Sequence, residues 1–234
     1  MLIISNFEVL GWEHAIRGMR NPMNSWEKSD SCTQGYVWCN EFCGHPVSGC
    51  DRESGLYLGP NDLGLMKRLR NAGTDHRKFM RMITVYVDIT APLYWWKEFD
   101  TYKIGTVANS CSTMHKIAEK EFTMEDFSYD KLSEHSKRHL QDTINLLNCY
   151  RADYNNPEAD GQSEYKKFYW WQMIQLLPSS YNQKRTIMLN YEVLANIYKS
   201  RRNHKLDEWH IFCDWIEELP YSEVITGKEE KADV

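Results

Sequence analysis

Residues 81–89 have the sequence Arg-Met-Ile-Thr-Val-Tyr-Val-Asp-Ile and are followed, after Thr90, by the pair Ala91-Pro92. Polar and apolar residues alternate in this segment with a period of two, and β-branched types are frequent, so the pattern predicts a β-strand. Proline suits the first turn of a helix, because the N–H that it lacks has no partner there. The segment therefore predicts a strand that leads directly into a helix opened by Ala91-Pro92.

The residues before this strand predict one more strand and two helices. Residues 2–10 alternate weakly, which favours a strand, and residues 12–20 can form a short helix. Asn61-Asp62 can cap a helix over about 62–72, because short polar side chains accept hydrogen bonds from the free N–H groups of a first turn. The N-terminal part of the chain is therefore expected to mix strand and helix.

The residues after the strand predict mainly helices. Residues 129–152 carry apolar side chains near one face, and Asn155-Asn156-Pro157 ends that helix. We expect further helices over about 163–177, 187–200 and 205–218, and a polar, frayed tail over 226–234.

Length and composition suit a single globular domain. The chain has 234 residues, of which 42% are hydrophobic and 26% are charged, and these are ordinary globular values. We predict one α+β domain over residues 1–225, with a central mixed or antiparallel sheet flanked by helices and long helices in the C-terminal part. Within it we expect a loop-rich, Cys-containing segment at 21–60 and a helical insertion at about 120–175.

Bulk properties also exclude several classes of partner. The net charge of −5 argues against DNA or RNA as a partner. No run of 18 apolar residues predicts a membrane span. The start of the chain, residues 1–8, lacks the basic and apolar regions of a secretory signal. The seven cysteines are then expected to be reduced thiols, and the protein to be cytoplasmic.

A cluster of metal-binding residue types lies in the loop-rich segment. Zinc takes four nitrogen or sulfur ligands in a tetrahedron, and closely spaced cysteines on a loop can supply them. The spacing does not form two regular ligand pairs, so free thiols are the favoured interpretation and no metal is expected. The weaker alternative is a structural zinc site that draws on Cys32, Cys39, Cys43, His45 and Cys50.

A second candidate for chemistry is the polar segment 91–115. Small hydroxyl residues and exposed amides can hold a phosphate, because they donate hydrogen bonds without bulk. A solvated amphipathic helix followed by a Ser-rich turn is the alternative. The polar residues of interest are Lys97, Glu98, Asp100, Tyr102 and Lys103, followed by Asn109, Ser110 and Ser112 beyond a Gly-Thr loop.

A third candidate lies on the helix predicted over 187–200 and just beyond it. At 100° per residue, Asn190 and Arg201 fall within about 20° of each other, three turns apart, and Asn196 lies to the side. An Arg with amides nearby suits an anion or a flavin edge, and His204 and Glu208 follow. An exposed polar helix explains the same pattern equally well.

The segment after the best strand resembles the flavin-dependent thymidylate synthase family. That family has a strand, an Ala-Pro helix start, the motif Arg-His-Arg and then Ser-x-Asn-x-x-Ser-x-Arg. Counting from Pro92 places Thr101-Tyr102-Lys103 at Arg-His-Arg and Glu98 where the family usually has Gln. With one inserted residue, Thr106, Asn109 and Ser112 follow in the order of the second motif, and Met114 stands at its final Arg.

The C-terminal half resembles the same family more closely. Asn190-Tyr191-Glu192 stands at its Asn-x-Arg motif, and Asn196 and Arg201 follow at the family's spacing. His204 and Glu208 resemble the next motif, one residue out of step. The resemblance covers about residues 60–220, and it implies the family's fold and its homotetrameric assembly.

The resemblance also implies FAD as cofactor and a pyrimidine nucleotide as substrate. The reaction would be methylation of deoxyuridylate, with methylenetetrahydrofolate as carbon donor and reduced nicotinamide as reductant. The flavin contacts would come from Lys103, Thr106, Asn190, Asn196 and His204. The nucleotide would be held by Glu98, Asn109, Ser112 and Arg201, of which Ser112 and Arg201 would take part in catalysis.

Three of the family's motifs lose arginine in this sequence. Glu192, Met114 and the segment Thr101-Tyr102-Lys103 stand where the family has them, and Lys cannot form the bidentate fork of Arg. Lys103, Arg20 and Arg185 are candidates to replace the lost charge. The alternative function is therefore a nucleotide-binding or protein-interaction module that kept the fold and lost turnover. A third alternative is an interaction protein with a zinc-clipped loop at 32–50.

Overall fold

The computed structural model describes residues 1–33, 56–157 and 161–228. It contains a four-stranded antiparallel sheet in the order β1-β2-β4-β3. The strands are β1 Ile3–Leu10, β2 Thr84–Pro92, β3 Val107–Ser110 and β4 Asn182–Asn190. The helices are α1 Trp12–Arg20, α2 Pro60–Asn71, α3 Leu93–Phe99, α4 Thr113–Lys116, α5 Glu134–Tyr154, α6 Ser163–Leu176, α7 Tyr191–Arg201, α8 Asp207–Glu218 and α9 Glu223–Thr226. The predicted α+β class is confirmed.

The chain divides into two compact units, which are described separately. All four strands contribute residues to both units. Unit 1 comprises Met1–Asn6, Val87–Lys103 and Ala108–Ile187, and unit 2 comprises Phe7–Tyr86, Ile104–Val107 and Met188–Val234.

The first core of unit 1 lies between α5 and α6, which contact each other extensively. Ile144 and Leu147 of α5 and Met173 of α6 are buried in one apolar cluster with Phe122 and Phe127. These two helices correspond to the helices predicted over 129–152 and 163–177. Helix α5 begins at Glu134, later than predicted, because the hydroxyl of Ser133 caps it by accepting from Ser136 N at 3.3 Å.

The second core of unit 1 surrounds the two tryptophans of α3. Trp95 and Trp96 are fully buried, and Trp96 Nε1 donates to the carbonyl of Gln183 at 2.9 Å. The guanidinium of Arg185 lies 4.3 Å from the centre of the Trp96 ring and donates to Asp100 at 2.7 Å. This part of the aromatic content therefore packs the interior and does not form a platform for ligands.

The core of unit 2 joins α1 to the start of α7. Trp12 packs edge-on against Tyr191 and Tyr221, with ring centres 5.2 and 5.6 Å apart. Before this tryptophan, Gly11 has φ +92°, and a Cβ there would lie 2.0 Å from the carbonyl oxygen of Met82. Only glycine fits that approach, so Gly11 fixes the turn between β1 and α1.

The predicted strand over 81–89 is found slightly further along the chain. Residues Arg77–Arg81 form a short 3₁₀ helix, and β2 runs over Thr84–Pro92. Pro92 ends the strand and precedes α3 with φ −66° and ψ 150°. The transition from strand to helix at Ala91-Pro92 is confirmed.

The helix predicted over 187–200 is wrong at its start. Residues Asn182–Asn190 form β4, and the helix begins only at Tyr191. Asn190 is extended, with φ −133° and ψ 168°, and its Oδ1 accepts from Val193 N at 3.1 Å. Asn190 is therefore the cap of α7, not a member of a helical face. Arg201 lies at the other end of α7, about 16 Å along its axis.

Two predictions fall on residues that the structure does not describe. The zinc candidates Cys39, Cys43, His45 and Cys50 lie outside the described residues, as do positions 229–234 of the tail. Cys32 is described and pairs with Tyr57 in an antiparallel bridge. Within residues 1–33, 56–157 and 161–228, no three His, Cys, Asp or Glu side chains are grouped to hold a metal ion.

Candidate functional site

The predicted site residues are divided between the two units. Glu98, Lys103, Asn109 and Ser112 belong to unit 1, and Thr106, Asn190, Asn196, Arg201 and His204 belong to unit 2. Their geometry is therefore given within each unit.

In unit 2, the short segment 104–107 packs against the start of α7. Gly105 has φ +78°, and a Cβ on it would lie 2.9 Å from Asn190 Nδ2 and 3.2 Å from a Val193 methyl. The next residue, Thr106, has its hydroxyl oxygen buried, with no hydrogen-bond partner among the described residues. A buried hydroxyl without a partner is costly, on the order of 1–3 kcal/mol. Gly105, Thr106 and Asn190 thus form a polar cradle with an unused hydrogen-bonding group.

The first turn of α7 carries a charged cluster that sequence analysis missed. Glu192 is buried, and its carboxylate lies between the guanidinium groups of Arg77 and Arg81. Arg81 contacts it through both Nε and Nη2, and Arg77 Nε donates to Oε1 at 3.3 Å. Arg77 Nη2 also donates to the amide oxygen of Asn196 at 3.0 Å. The predicted site residue Asn196 is therefore held by Arg77, which no sequence motif had indicated.

The ion pairs of this cluster change the acidity of its members. Burial alone would raise the pKa of the Glu192 carboxyl, but hydrogen bonds and attraction from Arg81, and then from Arg77, outweigh it and lower that pKa. The hydrogen bond to Glu192 raises the pKa of Arg81. Glu192 is therefore a carboxylate at neutral pH, and both arginines are charged.

At the C-terminal end of α7 the two consecutive arginines have different surroundings. The guanidinium of Arg201 lies 4.9 Å from the centre of the Trp209 ring, and His204 packs edge-on against the same ring at 6.3 Å. Arg202 instead binds the carboxylates of Asp214 and Glu217 on α8. The structure therefore brings Arg201 and His204 together at one tryptophan, while Arg202 joins α7 to α8.

The predicted residues of unit 1 lie on α3, on β3 and in the segments that follow these two elements. Glu98 is half-buried on α3, and Lys103 and Asn109 are exposed. Ser112 is the cap of α4, and its Oγ accepts from His115 N at 3.1 Å. A hydroxyl that accepts one bond keeps its own hydrogen for donation, so Ser112 can both cap the helix and donate to a ligand.

Two of the arginines considered as replacements have partners of their own. Arg20 in unit 2 binds the buried Asp62, and Arg185 in unit 1 binds Asp100. The guanidinium charge beside Glu192 comes instead from Arg77 and Arg81. No sequence motif pointed to these two residues, because their contact with Glu192 joins distant parts of the chain.

Unit 2 also contains a cavity of about 500 Å³ that borders β1, α1 and β2. Its lining includes Leu10, Trp12, His14, Met82 and Tyr86. A volume of this size is typical of pockets for small ligands. Met82 and Tyr86 are exposed, and Glu13, His14 and Thr84 add polar groups to the lining.

No protein-family model matches the chain, and no curated protein matches its sequence. Solved structures do match. The flavin-dependent thymidylate synthase ThyX from Helicobacter pylori, complexed with FAD and dUMP, is 15% identical and superimposes with a TM-score of 0.60, over 97% of this chain and 98% of that chain. The chain has the flavin-dependent thymidylate synthase fold.

A second match broadens the chemistry found on this fold. The UMP/dUMP methylase PolB from Streptomyces cacaoi, bound with 5-Br dUMP, is 12% identical with a TM-score of 0.55, over 97% of this chain and 95% of that chain. At these identities the matches establish the fold alone. Within this fold, the chain carries Glu192 paired with Arg77 and Arg81.

No helix among the described residues is both long and apolar enough to span a membrane.

Proposed function

We propose that the chain is a flavin-dependent thymidylate synthase-like protein that methylates dUMP or a related pyrimidine nucleotide. It would bind FAD and use reduced nicotinamide and methylenetetrahydrofolate. The proposal is supported by the fold and by the arrangement of the predicted residues at α7.

The observation that carries the proposal is the cradle of Gly105, Thr106 and Asn190. The Thr106 hydroxyl is buried and has no partner in the part of the chain that the structure describes, and a ligand that hydrogen-bonds to it would remove that cost. Gly105 has no side chain, so its backbone can approach the Asn190 amide closely, where a Cβ would lie 2.9 Å from Nδ2. These features fit a polar, planar cofactor such as FAD.

In this proposal the chain's residues bind and orient the two ligands. Lys103, Thr106, Asn190, Asn196 and His204 would hold FAD, and Glu98, Asn109, Ser112 and Arg201 would hold the nucleotide. FAD would supply hydride chemistry when bound. Arg201, steadied by the Trp209 ring, would bind the phosphate, and Ser112 would donate its hydroxyl hydrogen.

The second candidate is a protein that binds the nucleotide without turnover. It is favoured by Thr101, Met114 and Glu192, which stand where the resembled family has arginines. Under both candidate functions we propose a homotetramer, as the resemblance implies. Light scattering that shows a strict monomer at micromolar concentration would contradict this assembly.

The experiment compares Arg201→Ala with Arg202→Ala by calorimetry. We expect Arg201→Ala to weaken dUMP binding by about 1.5–3 kcal/mol, the scale of a charged hydrogen bond. Arg202→Ala is the matched control, because it removes the same charge from the adjacent position. Its own contacts are to Asp214 and Glu217, so we expect a loss of stability of about 1 kcal/mol or less and little change in binding.

Flavin absorbance and oxidation of reduced nicotinamide separate the two candidate functions. Protein that shows no flavin absorbance, even after incubation with FAD, would contradict the enzyme. Binding of dUMP without nicotinamide oxidation would favour the binding protein. Equal effects of the two arginine variants would remove Arg201 from the site.

A further inference from the structure

The cluster at the start of α7 carries a net positive charge, because its one carboxylate does not neutralise both of its arginines. One carboxylate, Glu192, is shared by two guanidinium groups, those of Arg77 and Arg81, so the three side chains together carry one positive charge. A purely structural ion pair needs only one arginine for one carboxylate. The second arginine therefore adds a positive charge that Glu192 does not neutralise.

The unused hydrogen-bond donors of this cluster are defined by the geometry. A guanidinium has five N–H groups. Arg81 uses Nε and Nη2 on Glu192, and Arg77 uses Nε on Glu192 and Nη2 on Asn196. Among the described residues, no hydrogen bond engages Nη1 of either arginine. Each guanidinium therefore keeps one end that is free to donate.

These free ends can be reached from solvent. The side chain of Arg81 is 55% exposed and that of Arg77 is 18% exposed, whereas the Glu192 side chain is 10% exposed. The carboxylate thus lies beneath the two arginines and holds them in place. An arginine held in this way loses less conformational freedom when it binds a ligand.

The other charges near the cluster leave it positive. Arg70 lies near enough to Arg77 that their repulsion, after the larger effect of burial, helps to lower the pKa of Arg70. Asp75 attracts Arg81 and contributes to its raised pKa. With Glu192, the count is three cations against two anions. The positive end of the α7 dipole adds to this excess.

We infer that Arg77 and Arg81, aligned by Glu192, form an arginine fork that binds the phosphate groups of a phosphorylated ligand. Two guanidinium ends side by side match the oxygens of a phosphate or diphosphate, because planar N–H pairs bind such oxygens bidentately. The inference deepens the proposed function and rests on it only for the choice of FAD and dUMP as probes.

The test measures the binding of inorganic pyrophosphate, FAD, riboflavin and dUMP to the full chain by calorimetry. Arg81→Gln removes the charge from an exposed side chain and leaves Arg77 on Glu192, so the fold should persist. We expect it to weaken the binding of pyrophosphate and of at least one of FAD and dUMP about tenfold to a hundredfold. Riboflavin carries no phosphate, so its binding should not change.

Two further variants test whether binding depends on the planar donor groups of the fork or only on its positive charge. Arg68→Gln removes an exposed arginine of unit 2 on α2 and should leave the binding of every probe within about twofold of the wild type. Arg81→Lys keeps the charge but loses the planar N–H pairs. It should bind pyrophosphate more weakly than the wild type and more tightly than Arg81→Gln.

The outcomes distinguish this inference from the proposed function. If Arg81→Gln and Arg68→Gln both bind all four probes as the wild type does, the fork is refuted and flavin binding still stands. If pyrophosphate binding depends on Arg81 but FAD never binds, the fork stands and the flavin function is refuted. If the wild type binds neither pyrophosphate, FAD nor dUMP, the fork is refuted as well.

Discussion

Two of the carboxylate–arginine clusters in unit 2, one at Asp62 and one at Glu192, differ in how far they are exposed to solvent. In the first, Asp62 is fully buried and accepts from Arg20 Nε at 2.6 Å. In the second, Glu192 accepts from Arg77 and Arg81, and Arg81 is more than half exposed. Both clusters join an acid on a helix to arginine, but only the second leaves donors at the surface.

The first cluster is closed because its hydrogen bonds are satisfied from within. The other oxygen of Asp62 accepts from Ser29 Oγ, Ser31 Oγ and Asp30 N, at 2.7, 2.7 and 3.1 Å. Arg20 gives its Nη1 and Nη2 to the carbonyls of Ser25 and Lys28. Such a cluster fixes the loop after α1 against α2. The two clusters therefore differ in the number of guanidinium donors left unused, and this difference is why we propose a ligand for the second cluster and a structural role for the first.

The largest effect should come from Asp62→Ala. The substitution leaves the Arg20 charge buried without its partner, and breaking a buried pair in this way costs about 3–5 kcal/mol. Chemical denaturation of the wild type and the variant would measure the difference in the free energy of unfolding. Asp142→Ala, which removes an exposed acid on α5, is the control and should change stability by about 0.5 kcal/mol or less. A loss below about 1 kcal/mol for Asp62→Ala would show that Arg20 reaches solvent.

Glu192→Ala should cost less, about 1–3 kcal/mol. The two arginines lose their shared acceptor, but Arg81 already reaches water and can turn outward. The same denaturation experiment measures this loss, with the exposed Glu218→Ala on α8 as control. If Glu192→Ala destabilises the protein as much as Asp62→Ala does, the second cluster is structural and the contrast between the two clusters fails.

The smallest expected effect is the loss of stability at acid pH. The pKa of Asp62 is lowered, because hydrogen bonds from Ser29, Ser31 and Arg20 outweigh the opposing effect of burial, and the pKa of Glu192 is lowered too. A depressed carboxyl pKa stabilises the fold above the ordinary values of 3.8 and 4.5, and this stabilisation is lost as pH falls through the lowered values. We expect unfolding free energy to fall below about pH 4, and less steeply in Glu192→Gln.

Denaturation at a series of pH values would check this expectation. In Asp142→Ala, the exposed control, the pH dependence should match that of the wild type. If Glu192→Gln loses stability with acid as steeply as the wild type does, Glu192 has no depressed pKa in the folded state.

Local sequence patterns were enough to predict much of the fold. The alternation over 81–89 predicted β2, and Ala91-Pro92 predicted the change to α3, because both depend on neighbouring residues. The strand β4 was missed, since its first half, Asn182-Gln183-Lys184-Arg185, has little apolar alternation. The interval from Asn190 to Arg201 also suggested a helical face, whereas Asn190 is the cap that precedes the helix.

Side-chain partners were much harder to predict. Asp62 was expected to cap α2, yet its carboxylate binds Arg20, and the carboxylate of Asp30 accepts from Asn61 N and Asp62 N instead. The contact between Arg81 and Glu192 joins positions 111 residues apart. A local pattern gives the period of a strand or helix, but it contains no information on which distant residue will face a given side chain.

By itself, the sequence determined the α+β class, the strand that leads into α3, the helices of the C-terminal half and the resemblance to the flavin-dependent thymidylate synthases. These follow from residue periodicity, capping residues and motif order, which are properties of neighbouring positions. Only the tertiary structure decided that the Thr106 hydroxyl is buried and unpaired within residues 1–33, 56–157 and 161–228 and that Glu192 holds two arginines. Burial and charge pairing arise when distant segments pack together, so they cannot be obtained from one segment alone.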